Sequence, residues 1–160
     1  TSIRNEDESV YAMVAPMMIK ANHSLYSVND VFNGIFVRGN VIGDIMFYGS
    51  GAGKLPTASA VVADVIDVAK HFGKNIWTIW SSKKLELVEM GKVKHRFLIR
   101  VSKNGSTLES IKSLFGEIQE IPEIVENEYA FITPLITEKE MEDKKEQVNG
   151  FLGRIRVRLD

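Results

Sequence analysis

Tyr48-Gly49-Ser50-Gly51-Ala52-Gly53-Lys54-Leu55-Pro56-Thr57-Ala58 is the stretch whose reading decides the fold: a strand end, a glycine-rich bend, then the start of a helix. Glycines at alternate positions remove side chains where backbone must approach something closely or take a positive φ. Pro56 suits the first helical position, where the N–H it lacks is not needed. The unpaired N–H groups of the helix start then point back at the bend and favour a phosphate, a carboxylate or a polar amide. Tight strand–helix packing would ask for the same glycines, so the bend by itself leaves ligand contact and packing as equal readings. The spacing excludes two named sites. Lys54 is followed by neither Ser nor Thr, and the P-loop spacing is absent. The dinucleotide fingerprint fails because Lys54 stands where its next glycine belongs.

Upstream of the bend, residues 31–38 and 41–48 are β-branched and aromatic, the composition of strands, and Gly39-Asn40 separates them as a turn. They read as a hairpin inside a larger sheet, since an isolated hairpin is marginal in water. Residues 10–20, with Pro16, read as extended segments, and 21–29 as a loop. Downstream, residues 58–72 form the clearest helix, with Val61, Val62, Val65, Ile66, Val68 and Ala69 closely spaced and Gly73 as its C-cap. The β-branched residues weaken intrinsic helix propensity, so packing must hold it. Residues 75–91 read as a connector carrying Trp77 and Trp80, which are expected to anchor an interface or a core.

A different rhythm begins at Lys92. Residues 93–101 read as a strand with Phe97, Ile99 and Val101 on one side, 104–106 as a turn, and 107–115 as a helix presenting Leu108, Ile111, Leu114 and Phe115. Gly116 ends that helix. Residues 118–125 form a strand whose Pro122 argues for a sheet edge, and 129–136 a further strand. Thr137 with Glu140 has capping-box spacing for a helix running to Val148. Residues 152–159 alternate Ile155, Val157 and Leu159 against Arg154, Arg156 and Arg158. The order β-α-β-β-α-β is the ferredoxin-like split motif.

Three segments together carry a resemblance. Val31-Phe32-Asn33-Gly34-Ile35-Phe36-Val37, then Gly43-Asp44-Ile45-Met46-Phe47-Tyr48-Gly49-Ser50-Gly51-Ala52-Gly53, then Pro56-Thr57-Ala58-Ser59-Ala60-Val61-Val62-Ala63-Asp64 closely resemble homoserine dehydrogenase. The match is long and ordered and covers roughly residues 14–72. The tail from Lys94 looks like an ACT domain, mainly by element order. The resemblance implies an enzyme that interconverts aspartate semialdehyde and homoserine with NAD(P), on the route to threonine and methionine. It implies an N-terminal Rossmann domain, a mixed-sheet domain that binds substrate and forms the dimer, and often a C-terminal ACT domain. In the family the glycine bend lies beside the cofactor, which assigns cofactor contact here to Gly49, Gly51, Ala52, Gly53, Pro56 and Thr57. The catalytic lysine and substrate-binding acids of the family fall upstream of Val10, and no residue here matches them; Lys20 has no matching neighbourhood. The expected catalytic set of this chain is therefore empty, and the chain alone is expected to hold no cofactor and to be inactive. ACT domains often bind an amino acid at the first strand–helix turn, which assigns an amino-acid effector to Asn104, Gly105, Ser106 and Thr107. The chain keeps Gly105 there but has Lys103-Asn104 before it and no proline, so a purely structural or dimer-forming unit is the competing reading.

Composition narrows the rest. The chain has 160 residues, 44 % of them hydrophobic, enough for one ordinary core or two small ones. Lys plus Arg total 20 against 21 Asp plus Glu, a formal net charge of -1, so the basic excess of a nucleic-acid binder is missing. Apolar runs fall well short of the roughly 20 residues that span a bilayer. Cysteine is absent, which excludes disulfide and zinc-thiolate chemistry. The opening residues show no apolar signal segment, and a cytoplasmic location is expected.

His23, His71 and His95 show no metal spacing and read as surface or cap residues, His71 facing a helix C-terminus. No metal site is expected. Asp64 and Asp67 read as a solvated helix face. Arg154, Arg156 and Arg158 read as the wet face of the last strand, offset by the acidic helix 138–146. The expected fold is α+β: a mixed β-sheet with helices over residues 1–91, the C-terminal part of a homoserine dehydrogenase catalytic and dimerisation domain, followed by a ferredoxin-like ACT-like domain over 92–160. The expected partners are a second copy and the Rossmann domain, with an amino acid as effector and neither nucleic acid nor membrane. The alternative is an amino-acid-sensing or structural dimerisation module without catalysis.

Overall fold

The computed structural model describes residues 1–122 and 125–158. In chain order the elements are β1 (Ser2–Arg4), β2 (Val10–Ala12), β3 (Met17–Met18), β4 (Phe32–Gly39), β5 (Gly43–Ser50), α1 (Lys54–Lys70), β6 (Lys94–Ser102), α2 (Leu108–Phe115), β7 (Gln119–Ile121), β8 (Glu128–Ile132), β9 (Ile136–Thr137), α3 (Glu138–Lys145) and β10 (Phe151–Val157). The chain divides into two compact units: Thr1–Ile19 together with Lys83–Asp160, and Lys20–Ser82.

The unit spanning Lys20–Ser82 is the hairpin β4–β5 followed by α1. β4 and β5 pair antiparallel from Phe32↔Ser50 to Gly39↔Gly43, and among the described residues no third strand joins them. The hairpin is thus not part of a larger sheet among the described residues. Its loop is Asn40-Val41-Ile42 rather than a two-residue turn, because Gly43 sits at φ 75° and supplies the left-handed residue that closes a three-residue loop. Val41 and Ile42, read as strand, are loop residues. The Phe32 and Tyr48 rings stack at 4.9 Å, and Arg38 and Asp44 pair at 2.8 Å across the ladder. Gly34 leaves room for neighbouring side chains: a Cβ would lie 2.7 Å from Leu25 Cδ2, on the short 3-10 turn Ser24–Ser27, and 3.0 Å from Val28 Cγ2, on its C-cap. α1 buries no residue. It ends at His71, whose Nδ1 lies 2.9 Å from the Asp67 carbonyl. Gly73, expected as the cap, follows two residues later at φ 76°.

The other unit holds the core. β10, β6, β8 and β7 pair antiparallel in that spatial order, with β3 added parallel outside β10 and β9 extending β6. Along β6, Phe97, Ile99 and Val101 are fully buried, and Ile111 and Phe115 of α2, Phe131 of β8, Ile136 of β9, Met141 of α3 and Val148 complete the same cluster. Each such side chain contributes roughly 1.5–3 kcal/mol by leaving water. Thr133 continues the β8 ladder beyond its end: its N–H donates to the Phe97 carbonyl at 2.9 Å and its hydroxyl accepts from the Phe97 N–H at 3.0 Å. β7 lies at the edge of the sheet, as Pro122 just after it requires. α2 is capped by Thr107 and Ser110, and ends at Gly116 with φ 80°. α3 is capped by Thr137 and Glu140 as the sequence spacing asks, and stops at Lys145 rather than Val148. Leu159 and the middle of the strand read over 118–125 lie outside the described residues.

The last strand runs opposite to the sequence reading. The register Arg154↔Ile99 and Arg156↔Phe97 turns both arginines toward the core, while Ile155 stands opposite Leu98 on the other face. The cause is Glu138, the first residue of α3 and only 8 % exposed. A buried carboxylate requires partners, and Arg156 chelates it at 2.5 and 2.8 Å with Arg154 at 3.6 Å. Both guanidinium groups also lie over the Phe97 ring, at 5.0 and 6.0 Å. Long arginine stems can cover an apolar core while their heads stay paired.

Candidate functional site

The bend at the end of β5 holds three glycines, two of which have a reason within their own unit. Gly53 has φ 117° and ψ 157°, a conformation closed to other residues, and is the N-cap of α1. Gly51 lies against Asn33 of β4, where a Cβ would stand 2.4 Å from Asn33 Nδ2. Gly49 has neither reason: a Cβ there would meet nothing within 4 Å. Its own unit gives no cause for a bare backbone.

α1 begins at Lys54, so Pro56 occupies the third helical position, not the first. The lack of an N–H is harmless there too, because the first four N–H groups of a helix have no internal acceptor. The first intrahelical bond runs from the Thr57 N–H to the Gly53 carbonyl at 3.2 Å. The N–H groups of Gly53, Lys54 and Leu55 have no acceptor among the described residues, and no acidic side chain sits in the first turn. The end of α1 therefore presents a positive, uncapped terminus beside an open backbone. Gly49, Gly51, Ala52, Gly53 and Thr57 are exposed and Pro56 half-buried. The expected cofactor residues thus lie at the surface, around the end of β5 and the start of α1. That surface offers donors without acceptors at the start of α1 and space beside Gly49 for close approach.

The expected effector residues lie in the other unit. A Cβ on Gly105 would stand 2.6 Å from the Asn149 carbonyl carbon and oxygen and 2.7 Å from Gly150 Cα. The Ser106 hydroxyl donates to the Asn149 carbonyl at 2.8 Å. Thr107 caps α2, and Asn104 is exposed. The Asn104 N–H donates to the Ser102 hydroxyl at 3.3 Å, so each of these residues has a structural engagement within its own unit.

Comparison with known proteins places the bend. Residues 2–66 match the family model for homoserine dehydrogenase. The homology is seen again in individual relatives. The chain is 48 % identical over 68 residues to the homoserine dehydrogenase of Lactococcus lactis subsp. lactis, 42 % of this chain and 16 % of that protein. It is 51 % identical over 63 residues to that of Synechocystis sp., 39 % of this chain and 14 % of that protein. In structure, 98 % of the chain overlies 41 % of a homoserine dehydrogenase from Thiobacillus denitrificans with a TM-score of 0.77 at 23 % identity, a likeness of fold. It overlies 40 % of S. aureus homoserine dehydrogenase with a TM-score of 0.67 at 26 % identity, again over 98 % of the chain. The chain thus spans well under half the length of the proteins it matches. Gly49 to Thr57 fall inside the matched residues, whereas the sequence match stops short of β6.

The remaining candidates separate. His23 caps the 3-10 turn, its Nδ1 accepting from the Leu25 N–H at 3.1 Å, and His71 caps α1. His95, expected at the surface, is enclosed: its side chain is 12 % exposed, with Nε2 3.1 Å from the Tyr11 hydroxyl and 3.8 Å from Glu138. The signal was present in the alternation, since His95 is two residues before Phe97 on the core side of β6. Trp77 and Trp80 are 81 % and 86 % exposed, so they are not core anchors of this chain. Among the described residues no group of three or more His, Asp or Glu side chains could hold a metal ion, and no helix is long and apolar enough to cross a membrane.

Proposed function

We propose that the protein carrying this chain is a homoserine dehydrogenase, and that the surface from Gly49 to Thr57 is the wall against which its NAD(P) lies. The observation that carries this reading is Gly49, a bare position with open space beside it at the head of an uncapped helix, inside the segment homologous to the family. NAD(P), when bound, supplies or accepts the hydride exchanged with aspartate semialdehyde or homoserine. The chain's contribution is geometric: Gly49, Gly51, Ala52 and Gly53 keep side chains out of the approach, and the end of α1 at Pro56 and Thr57 holds donors toward it. The nucleotide fold, the catalytic lysine and the substrate acids belong to the part of the enzyme this chain does not match. The chain alone is therefore inactive. NADPH oxidation in the presence of aspartate semialdehyde tests this; turnover by the isolated chain at ordinary enzyme rates would overturn it.

The C-terminal residues 92–160 act on this reading as an ACT-like domain of ferredoxin-like topology, joined to a catalytic segment over 1–91, in a cytoplasmic homodimer that serves threonine and methionine synthesis. One observation favours a structural role for that domain over amino-acid sensing. The backbone of its first strand–helix turn is occupied by Asn149 and Gly150 of the same unit.

A further inference from the structure

β2 is held to its unit by backbone bonds at its edges and by the buried Tyr11. Its backbone bonds reach β1 and the segment at residues 86–88, where the Val10 N–H donates to Glu86 at 3.1 Å and the Val88 N–H to Val10 at 2.9 Å. Tyr11 reaches across to β6. It is 5 % exposed, and its hydroxyl lies 3.1 Å from His95 Nε2 and 3.2 Å from Met13 Sδ. His95 is faced by Tyr11 from β2, by Glu138 from the start of α3 and by Arg156 from β10, with the Phe97 ring edge-on at 6.1 Å. Glu138 Oε1, the atom nearest His95, is already taken by Arg156.

We propose that Tyr11, His95, Glu138 and Arg156 form a pH-sensitive fastening that holds β2 on its unit while the imidazole is neutral and releases it when the imidazole gains a proton. With His95 neutral and its proton on Nδ1, Nε2 is the better acceptor for the Tyr11 hydroxyl, ahead of Met13 Sδ. A proton on Nε2 reverses that bond: the imidazolium donates to the Tyr11 oxygen, and the hydroxyl proton is left to Met13 Sδ, a weak acceptor. The new cation must also share one carboxylate with the guanidinium groups of Arg156 and Arg154. Burial holds the His95 pKa below its ordinary 6.5; Glu138 opposes the shift and Arg156 adds to it. A base whose pKa is lowered by docking favours the docked form above the undocked value. That advantage fades as pH falls below about 6.5 and is gone below the docked value.

Amide hydrogen exchange of the full chain, expressed as protection relative to the intrinsic rate at each pH, tests the fastening. Protection of the Val10 and Val88 amides is expected to fall severalfold from pH 7.5 to pH 5, while β6 and β8 stay protected. His95→Gln, whose amide oxygen accepts from Tyr11 and does not titrate, is expected to remove that dependence and keep the protection seen at pH 7.5. In Tyr11→Phe the imidazole, followed by its proton resonances, is expected to titrate closer to 6.5 than in the parent. Unchanged Val10 protection, an equal loss throughout the sheet, a pH dependence retained in His95→Gln, or an imidazole indifferent to Tyr11→Phe would each overturn the proposal.

Discussion

Glycines that look alike in the sequence differ in what surrounds them, and the difference makes them separable by experiment. Gly105 cannot accept a Cβ without moving backbone, because all three of its near atoms belong to Asn149 and Gly150 backbone. Gly105→Ala is expected to destabilise its unit by about 1–3 kcal/mol, the usual cost of overpacking, read as a lowered denaturation midpoint. Gly49 has nothing near it. Gly49→Ala is expected to leave the stability of this chain within about 0.5 kcal/mol. In the whole enzyme the new methyl group would stand where the cofactor is proposed to lie, so kcat/KM for NADPH is expected to fall. A fully active Gly49→Ala enzyme would remove the reason for placing the cofactor against this bend. The three-glycine spacing was legible in the sequence. Which glycine was spoken for by its own unit was not, because Asn33 and Asn149 reach their glycines from distant positions.

Elements were legible where their signals are local. Thr137 and Glu140 marked the start of α3 three residues apart, and the structure shows both halves of the box: the Thr137 N–H donates to Glu140 at 2.7 Å and the Glu140 N–H donates to the Thr137 hydroxyl at 3.1 Å. Thr137→Ala is expected to cost about 1 kcal/mol. The donors from Thr137, backbone first and hydroxyl second, hold the Glu140 carboxyl below its ordinary 4.5. A lowered acid stabilises the folded form above 4.5, and the contribution is lost as pH falls through the folded value. Acid titration followed by far-UV circular dichroism is expected to show a step that disappears in Glu140→Gln. Where pairing is distant the sequence was silent: β3 joins β10 across the length of the chain, and no local pattern announces it. In β10 the period-two alternation was read with the right period and the wrong face. Alternation says that two faces differ, and hydrophobicity normally says which is inward. Here Glu138 reverses that assignment, because a buried carboxylate draws Arg154 and Arg156 inward.

At the scale of the molecule, all the buried hydrophobic residues among those described lie in the unit made of Thr1–Ile19 and Lys83–Asp160; the unit Lys20–Ser82 buries none. α1 shows the consequence most plainly, with Val61, Val65 and Val68 57, 62 and 68 % exposed. Ordering a residue costs about 1–2 kcal/mol of backbone entropy, and a helix rich in β-branched residues has little propensity to offset it without packing. Burial against the remainder of a larger enzyme would supply the missing term, in keeping with a chain that overlies only 40–41 % of the homoserine dehydrogenases it resembles. The two units are therefore expected to differ in calorimetry of the isolated chain. Unfolding near 60 °C takes up about 0.7 kcal/mol per residue. A single cooperative transition of the core-bearing unit, roughly a hundred residues, should absorb about 70 kcal/mol, whereas the whole chain would absorb about 110. The smaller value is expected, with α1 amides exchanging close to the unprotected rate. The larger value would mean that Lys20–Ser82 folds cooperatively without help, and the apolar surface of α1 would then need no covering domain.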